Sequence, residues 1–283
     1  MGSVALALAS ALLLGVWQFG LSIYRGKNSV YAVILISASA AGVAYIILGA
    51  LHGELSVNRG DLPEGLIGGF LNFVGTLLIL KAFARGRIAI VAGVACAYVI
   101  VPLAYSLHLG EQITPHAALG LAMLLAGLGT FYAPQARLRP TADRQSTVGP
   151  VVMALTAALF WGVAIIILDL GTRDSITGTL TMSQIPQITA CAVVLLATST
   201  HSLKGISVKA IAVLTASGVA LSLGNAAFFA AANGGDIGIV AVLSSLSPLV
   251  TAILAAIRFR ERLAATERIA FAIVLAGAAL VVA

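Results

Sequence analysis

Five stretches of this chain, Ile88–Leu107, Gln145–Leu168, Ser175–Thr200, Ala210–Gly235 and Ile237–Ile257, contain no Asp, Glu, Lys or Arg. Each is long enough to carry a helix across a hydrocarbon core, which takes about 20 apolar residues. The runs are continuously apolar rather than alternating, so they read as helices and not as barrel strands. Such a chain is no soluble domain. Only 9% of its residues are charged and 60% are hydrophobic, whereas soluble domains carry about 25% charged residues. The net charge of +6 does not imply nucleic acid, because in a membrane protein the placement of basic residues matters more than their sum.

The chain repeats itself. Asn233-Gly-Gly-Asp-Ile-Gly-Ile-Val echoes Ala84-Arg-Gly-Arg-Ile-Ala-Ile-Val, Glu261 stands where Glu111 stands, and Ala270 and Gly277 fall opposite Gly120 and Gly127. The offset is about half the chain, as an internal duplication requires. The expectation is an all-α, polytopic membrane protein of ten transmembrane helices. They are placed near 3–24, 28–51, 64–84, 87–107, 115–133, 148–169, 176–199, 207–232, 237–257 and 265–282. The start, MGSVALALASALLLGVWQFG, lacks a basic leader and is read as the first span rather than a signal peptide. Residues 1–133 form a first five-helix repeat, 134–147 (PQARLRPTADRQST) an inter-repeat loop, and 148–283 a second five-helix repeat. Five spans per half is odd, so the second half begins from the opposite face and the repeats are inverted, an architecture that recurs in secondary transporters.

Orientation follows from the basic residues. Loops after even-numbered spans hold only Arg59 and Arg173; the others of the 16 Lys and Arg all follow odd-numbered spans. The positive-inside bias therefore puts the inter-repeat loop in the cytoplasm and both termini outside.

The paired turns LGEQITPHAALGLAMLLAGL and FRERLAATERIAFAIVLAGAAL, with Trp161-Gly162 early in the sixth span and Trp17 near the corresponding place in the first, resemble the EamA branch of the drug/metabolite transporter superfamily. The resemblance covers essentially the whole chain. It implies export or uptake of small metabolites, such as amino acids, across a cytoplasmic (inner) membrane. One departure is that the first half has Tyr98 opposite Pro248, with its own proline, Pro102, a turn later.

A transporter needs polar groups that face protein or a cavity at mid-membrane, since leaving them unsatisfied in hydrocarbon is costly. Asn72 and Asn225 fall in the third span of each half, so the duplication brings both to a central cavity. Trp17, Tyr98, Trp161 and Gln184 are expected as its walls and secondary donors; Gln18, Gln187, Ser244, Ser245 and Ser247 are further polar residues within spans. The bland alternative for each is a helix–helix hydrogen bond. Pro102, Pro186 and Pro248 lie inside spans four, seven and nine. Each removes a bond to the carbonyl four residues back, at Tyr98, Met182 and Ser244, which suits gating or merely a static kink. Glu111 and Glu261 read as helix braces, and Asp169 as a span-end residue that reaches water.

No carboxylate or lysine lies at the middle of a span, which argues against a proton-driven exporter of cationic drugs. Cys96 and Cys191 lie in separate spans and read as small buried side chains rather than a disulfide or metal site. There is no H-E-x-x-H, and no serine with a base inside the membrane, so the chain is not read as an enzyme and no cofactor or metal is expected. The reading is a secondary transporter, exporter or facilitated carrier, of small polar metabolites by alternating access. Its partners are the solute and the lipid bilayer, and the duplication makes a monomer sufficient. The alternative is a flippase or scramblase for a lipid headgroup, which would need a lateral groove rimmed by Arg85, Arg87 and Arg137.

Overall fold

The computed structural model describes residues 2–24, 29–53, 61–86, 88–110, most of 115–127, 143–197, 206–235, 237–259 and 265–282. Among these it is helical, without a strand. In chain order the helices are α1 (Gly2–Ile23), α2 (Val30–His52), α3 (Asp61–Arg85), α4 (Ile88–Ala95), α5 (Ile100–His108), α6 (Asp143–Thr172), α7 (Ile176–Ala197), α8 (Val208–Asn233), α9 (Ile237–Ser244), α10 (Ser247–Phe259) and α11 (Ala265–Val282). A 3-10 turn, Cys96–Val99, joins α4 to α5.

Eight spans among the described residues are long and apolar enough to cross a membrane: α1, α2, α3, α4–α5, α6, α7, α8 and α9–α10. The expected tenth span coincides with α11, and the expected fifth lies largely outside the described residues, as does the loop over 134–142. One boundary moves: α6 begins at Asp143, so the last residues assigned to the inter-repeat loop belong to the helix.

The helix ends follow from local chemistry. Ser207 caps α8 by accepting from the Ala210 N–H at 3.2 Å. Gly53 ends α2 with φ 72°, where a side chain would be strained, and its N–H closes on the Gly49 carbonyl.

The usual residue distribution is inverted. Large aliphatics such as Ile47, Leu51, Val193, Leu196 and Val208 point outward and are exposed, while Ala7, Ser10, Ala11, Ala41, Ala154, Ala157 and Ser222 are buried. Lipid tails are as apolar as leucine, so helix association in a bilayer rests on close backbone approach through small residues. Glycines make the closest approaches. A Cβ on Gly69 of α3 would strike the backbone of Ser183 on α7, 2.6 Å from its Cα, and one on Gly218 of α8 would strike the Ser37 carbonyl of α2. The first contact joins α3 to α7 and the second joins α8 to α2.

The halves interleave rather than sit side by side. α1 packs along α8, α3 along α6, and α2 against both α7 and α8. The fourth spans exchange too: α10 lies on α1, and α4–α5 on α6. At these contacts Gly15 admits the Ser247 carbonyl and Gly162 admits the Tyr98 carbonyl, where a Cβ would lie 2.6 and 2.8 Å from the oxygen.

Candidate functional site

Both fourth spans are interrupted at mid-length. In the first half the α-helix tightens to 3-10 at Cys96–Val99; Pro102, buried in α5, cannot donate to the Tyr98 carbonyl. In the second half α9 stops at Ser244 and α10 restarts at Ser247, with Pro248 in its first turn, where a missing N–H costs least. The two interruptions touch. The Cys96 thiol donates to the Ser245 carbonyl at 3.3 Å, and Ser247 is a side-chain hydrogen-bond partner of Tyr98. Pro186 behaves differently: α7 runs unbroken through it.

Beside the crossing lies a cavity of about 70 Å³, space for a few waters. Its polar lining is Gln18, Asn72, Tyr98, Asn225 and Ser247, its aromatic lining Trp17, Trp161, Phe228 and Phe229, and Leu14, Ala164, Ile165, Leu168 and Leu221 complete it. α1, α3, α6 and α8, together with both interrupted spans, supply these residues. Among the described residues the lining holds no charge.

Each polar side chain is oriented by a partner behind it. Thr76, one turn on along α3, donates to Asn72 Oδ1 at 3.2 Å, which leaves the Asn72 amino group uncommitted. The Asn225 amino group donates to the Tyr45 hydroxyl at 3.1 Å, and Tyr45 on α2 is fully buried; here the carbonyl is left over. Gln18 Oε1 meets the Thr251 hydroxyl at 3.2 Å, which also contacts the carbonyls of Gly15 and Ser247. The two indoles stand 6.2 Å apart at 50°. Trp161 lies against Gly75, where a Cβ would meet its ring at 2.6 Å, and the buried Trp17 Nε1 has no hydrogen-bond partner.

The structure thus gathers Asn72, Asn225, Trp17, Tyr98 and Trp161 around one cavity, with Gln18. Gln184 lies elsewhere, buried in α7, its amide donating to Ser183 Oγ at 2.9 Å and accepting from Gln187 at 3.3 Å. Tyr45, Phe228 and Phe229 escape the sequence reading. The repeat offset does not pair Tyr45 with an amide, and the two phenylalanines look like any other apolar span residues.

Asp169 corrects another expectation. It does not reach water but is 3% exposed, held at 3.1 Å by Arg173 one turn on. The pair borders a second cavity with Leu109, Asn233 and Ile237 at the end of the molecule poor in basic residues. Its neighbour Asn233 is fixed by donating to the Thr172 carbonyl at 2.9 Å. Cys96 and Cys191 are buried free thiols. Glu111, Glu261, Arg87 and Arg137 lie outside the described residues.

A bundle of membrane-crossing helices around a charge-free polar cavity, with interrupted helices beside it, defines a multi-pass membrane protein of transporter type. The model of the EamA-like transporter family matches residues 149–283, so the resemblance drawn from the paired turns holds over the second half of the chain. No curated protein sequence matches the chain. A protein of known crystal structure, 18% identical, superposes with a TM-score of 0.76 over 98% of this chain and 95% of its own. At that identity the likeness is one of fold.

Proposed function

We propose that the chain is a secondary transporter, an exporter or facilitated carrier, for small polar metabolites in a cytoplasmic membrane, working by alternating access between two inverted halves. One observation carries the reading: two asparagines, in the third span of each half, and two tryptophans, in the first span of each half, line one cavity. The exchanged packing of α1 on α8 and α3 on α6 supports the inverted repeat, since a two-fold relation maps one pair onto the other. Solute sits between Asn72 and Asn225, with Trp17, Tyr98 and Trp161 as walls, and Gln184 acts through helix packing rather than contact. Pro102 and Pro248 favour bending of the fourth spans where they cross. Pro186 lies in a helix held from both sides by α2 and α3, and contributes no gate.

The test is Asn72→Leu and Asn225→Leu in proteoliposomes. Either replacement abolishes saturable transport while yield and melting temperature stay near those of the parent. Transport that persists, or that falls only in step with folded protein, overturns the site.

A further inference from the structure

Two cavities lie in series along α6 and α8. On α6 the central cavity takes Leu168 and the second cavity begins at Asp169; on α8 the central cavity takes Phe229 and the second begins at Ala232. At about 1.5 Å of rise per residue, the step between them is about 2–5 Å along each helix, the thickness of one layer of side chains. That layer is Leu168, Phe228 and Phe229, each no more than 3% exposed, with the two rings edge to face at 4.9 Å. The second cavity is the larger, about 360 Å³ against about 70 Å³, and Asp169, Arg173 and Asn233 give it a polar wall. Beside it Asn233, at the end of α8, donates to the Thr172 carbonyl at the end of α6, at 2.9 Å. The end rich in basic residues is built differently. There Ile79 and Phe83 of α3, Ile88 and Val91 of α4 and Leu214 of α8, all at most 2% exposed, fill the space below the central cavity. Phe83 stands about 16 Å beyond Asn72 along α3, and Leu214 about 10 Å beyond Leu221 along α8. The repeat sets Ala84 opposite Asn233, and alanine has no amide to give.

We propose that the second cavity is the antechamber through which solute passes between the central cavity and the face poor in basic residues. Leu168, Phe228 and Phe229 are the gate between the two cavities, and the Asn233–Thr172 bond is its latch. This rests on the reading of the central cavity as the solute site. The packing lets such a gate move. α6 is packed along α3 and α8 along α1, whereas α6 and α8 touch each other only over a short length. The ends of α6 and α8 can therefore part, each carried by its own partner, while the larger contacts stay intact. Parting them breaks one hydrogen bond at an exposed asparagine and separates one apolar layer. Opening the basic end means separating several turns of packed side chains at once. The polar wall of the antechamber keeps a solute hydrated up to the gate, and the apolar layer then excludes bulk water from the amides behind it.

Ala164 lines the central cavity one turn before Leu168 and is 1% exposed, so a thiol placed there reports passage of the gate. The test is full-length Ala164→Cys, with Cys96→Ala and Cys191→Ala to remove the native thiols. Sealed right-side-out and inside-out vesicles are treated with a membrane-impermeant methanethiosulfonate, and Ser146→Cys in a parallel sample marks the basic face. The thiol at position 164 reacts from the face poor in basic residues, and at least about tenfold more slowly from the basic face. Phe229→Ala speeds the first reaction about tenfold, and Asn233→Ala, at an exposed residue, about threefold, as the loss of one partly hydrated hydrogen bond allows. Phe83→Ala, the same truncation in the thick seal, leaves the rate from the basic face unchanged. Should Phe229→Ala lower the yield of folded protein, Phe229→Leu accelerates in the same direction by less. Faster reaction from the basic face overturns the proposal, as does a rate that neither the Phe229 variants nor Asn233→Ala raises. The assay needs no identified solute, so the two readings fail separately. If the gate behaves as described but Asn72→Leu and Asn225→Leu leave transport intact, the antechamber stands and the solute site falls. If those two variants abolish transport while position 164 is reached only from the basic face, the solute site stands and the gate falls.

Discussion

The closest helix contacts make a paired prediction about stability. Gly69→Ala places a methyl 2.6 Å from Ser183 Cα and 2.7 Å from its carbonyl carbon; Gly218→Ala places one 2.8 Å from Ala40 Cβ and closer still to the Ser37 carbonyl. The carbonyl oxygens of Ser183 and Ser37 lie nearest the new methyls, and restoring ordinary contact at 3.4 Å means parting α3 from α7, or α8 from α2, by about 1.2 Å. Backbone cannot rotate away as a side chain can, so the whole interface opens. Overpacking of this kind costs about 1–3 kcal/mol, offset by up to about 1 kcal/mol from the better helix propensity of alanine. The net loss is about 1–2 kcal/mol for each variant. For a chain of this size that lowers the melting temperature by about 2–8 °C, measured by tryptophan emission in detergent micelles. The internal control is Gly149→Ala in α6, where nothing lies within 4 Å of the new methyl and the temperature holds or rises slightly. Because both clashes are with a backbone carbonyl of the facing helix, they also give similar shifts. Shifts at Gly69 and Gly218 no larger than at Gly149, or confined to one of the two, refute the reasoning.

Tyr45→Phe removes the partner that turns the Asn225 amide, a bond worth about 1 kcal/mol; the apparent KM for transport rises severalfold with little loss of folded protein, and an unchanged KM means Asn225 is oriented otherwise. Arg173→Met leaves the buried Asp169 carboxylate unpaired. Since the arginine side chain is 58% exposed, water screens the pair and the cost is about 1–2 kcal/mol rather than the larger loss of a fully buried one. Adding Asp169→Asn returns the melting temperature to near the parent's, and failure of that rescue removes the charge argument. Transport in proteoliposomes persists without a pH gradient, because the cavity lining holds no carboxylate; collapse under an uncoupler refutes this. A cysteine placed at Ser146 is labelled by an impermeant reagent only from the cytoplasmic side, and labelling from outside intact cells inverts the orientation.

Much of this architecture is written in the chain at low resolution. Uncharged runs about 20 residues long leave helices as the only economical way to satisfy a backbone in lipid, and the duplication carries Asn72 to the neighbourhood of Asn225. Gln184 shows where that reasoning stops. In a helix apolar all round there is no solvent face to fix its phase, so an amide can point to the centre or into a neighbour. What turns Gln184 away is its own helix neighbours Ser183 and Gln187, a matter of one residue's rotation. The prolines make the same point. Pro102, Pro186 and Pro248 look alike in the sequence, yet only Pro102 and Pro248 accompany an interruption, whereas Pro186 lies inside an unbroken α7 packed on α2 and α3. Asp169 and Arg173 form an i, i+4 pair that on sequence alone looks like a solvated helix end, and only tertiary packing buries the carboxylate.

The interleaving of the halves bears on how the protein is made. A ribosome delivers α1 to the bilayer long before α8, and α3 before α6, although these are the partners along which each is packed. During that interval Ser10, Gln18 and Ser22 of α1, buried in the finished protein, face lipid or a provisional neighbour. Gly69 of α3 likewise waits for the backbone of α7. The newborn first half is therefore an incomplete object with its seams open, and the helices that close them arrive last. A chain broken between the halves must be supplied with both pieces in the same membrane at the same time, and either piece alone presents those seams to the membrane's quality-control proteases.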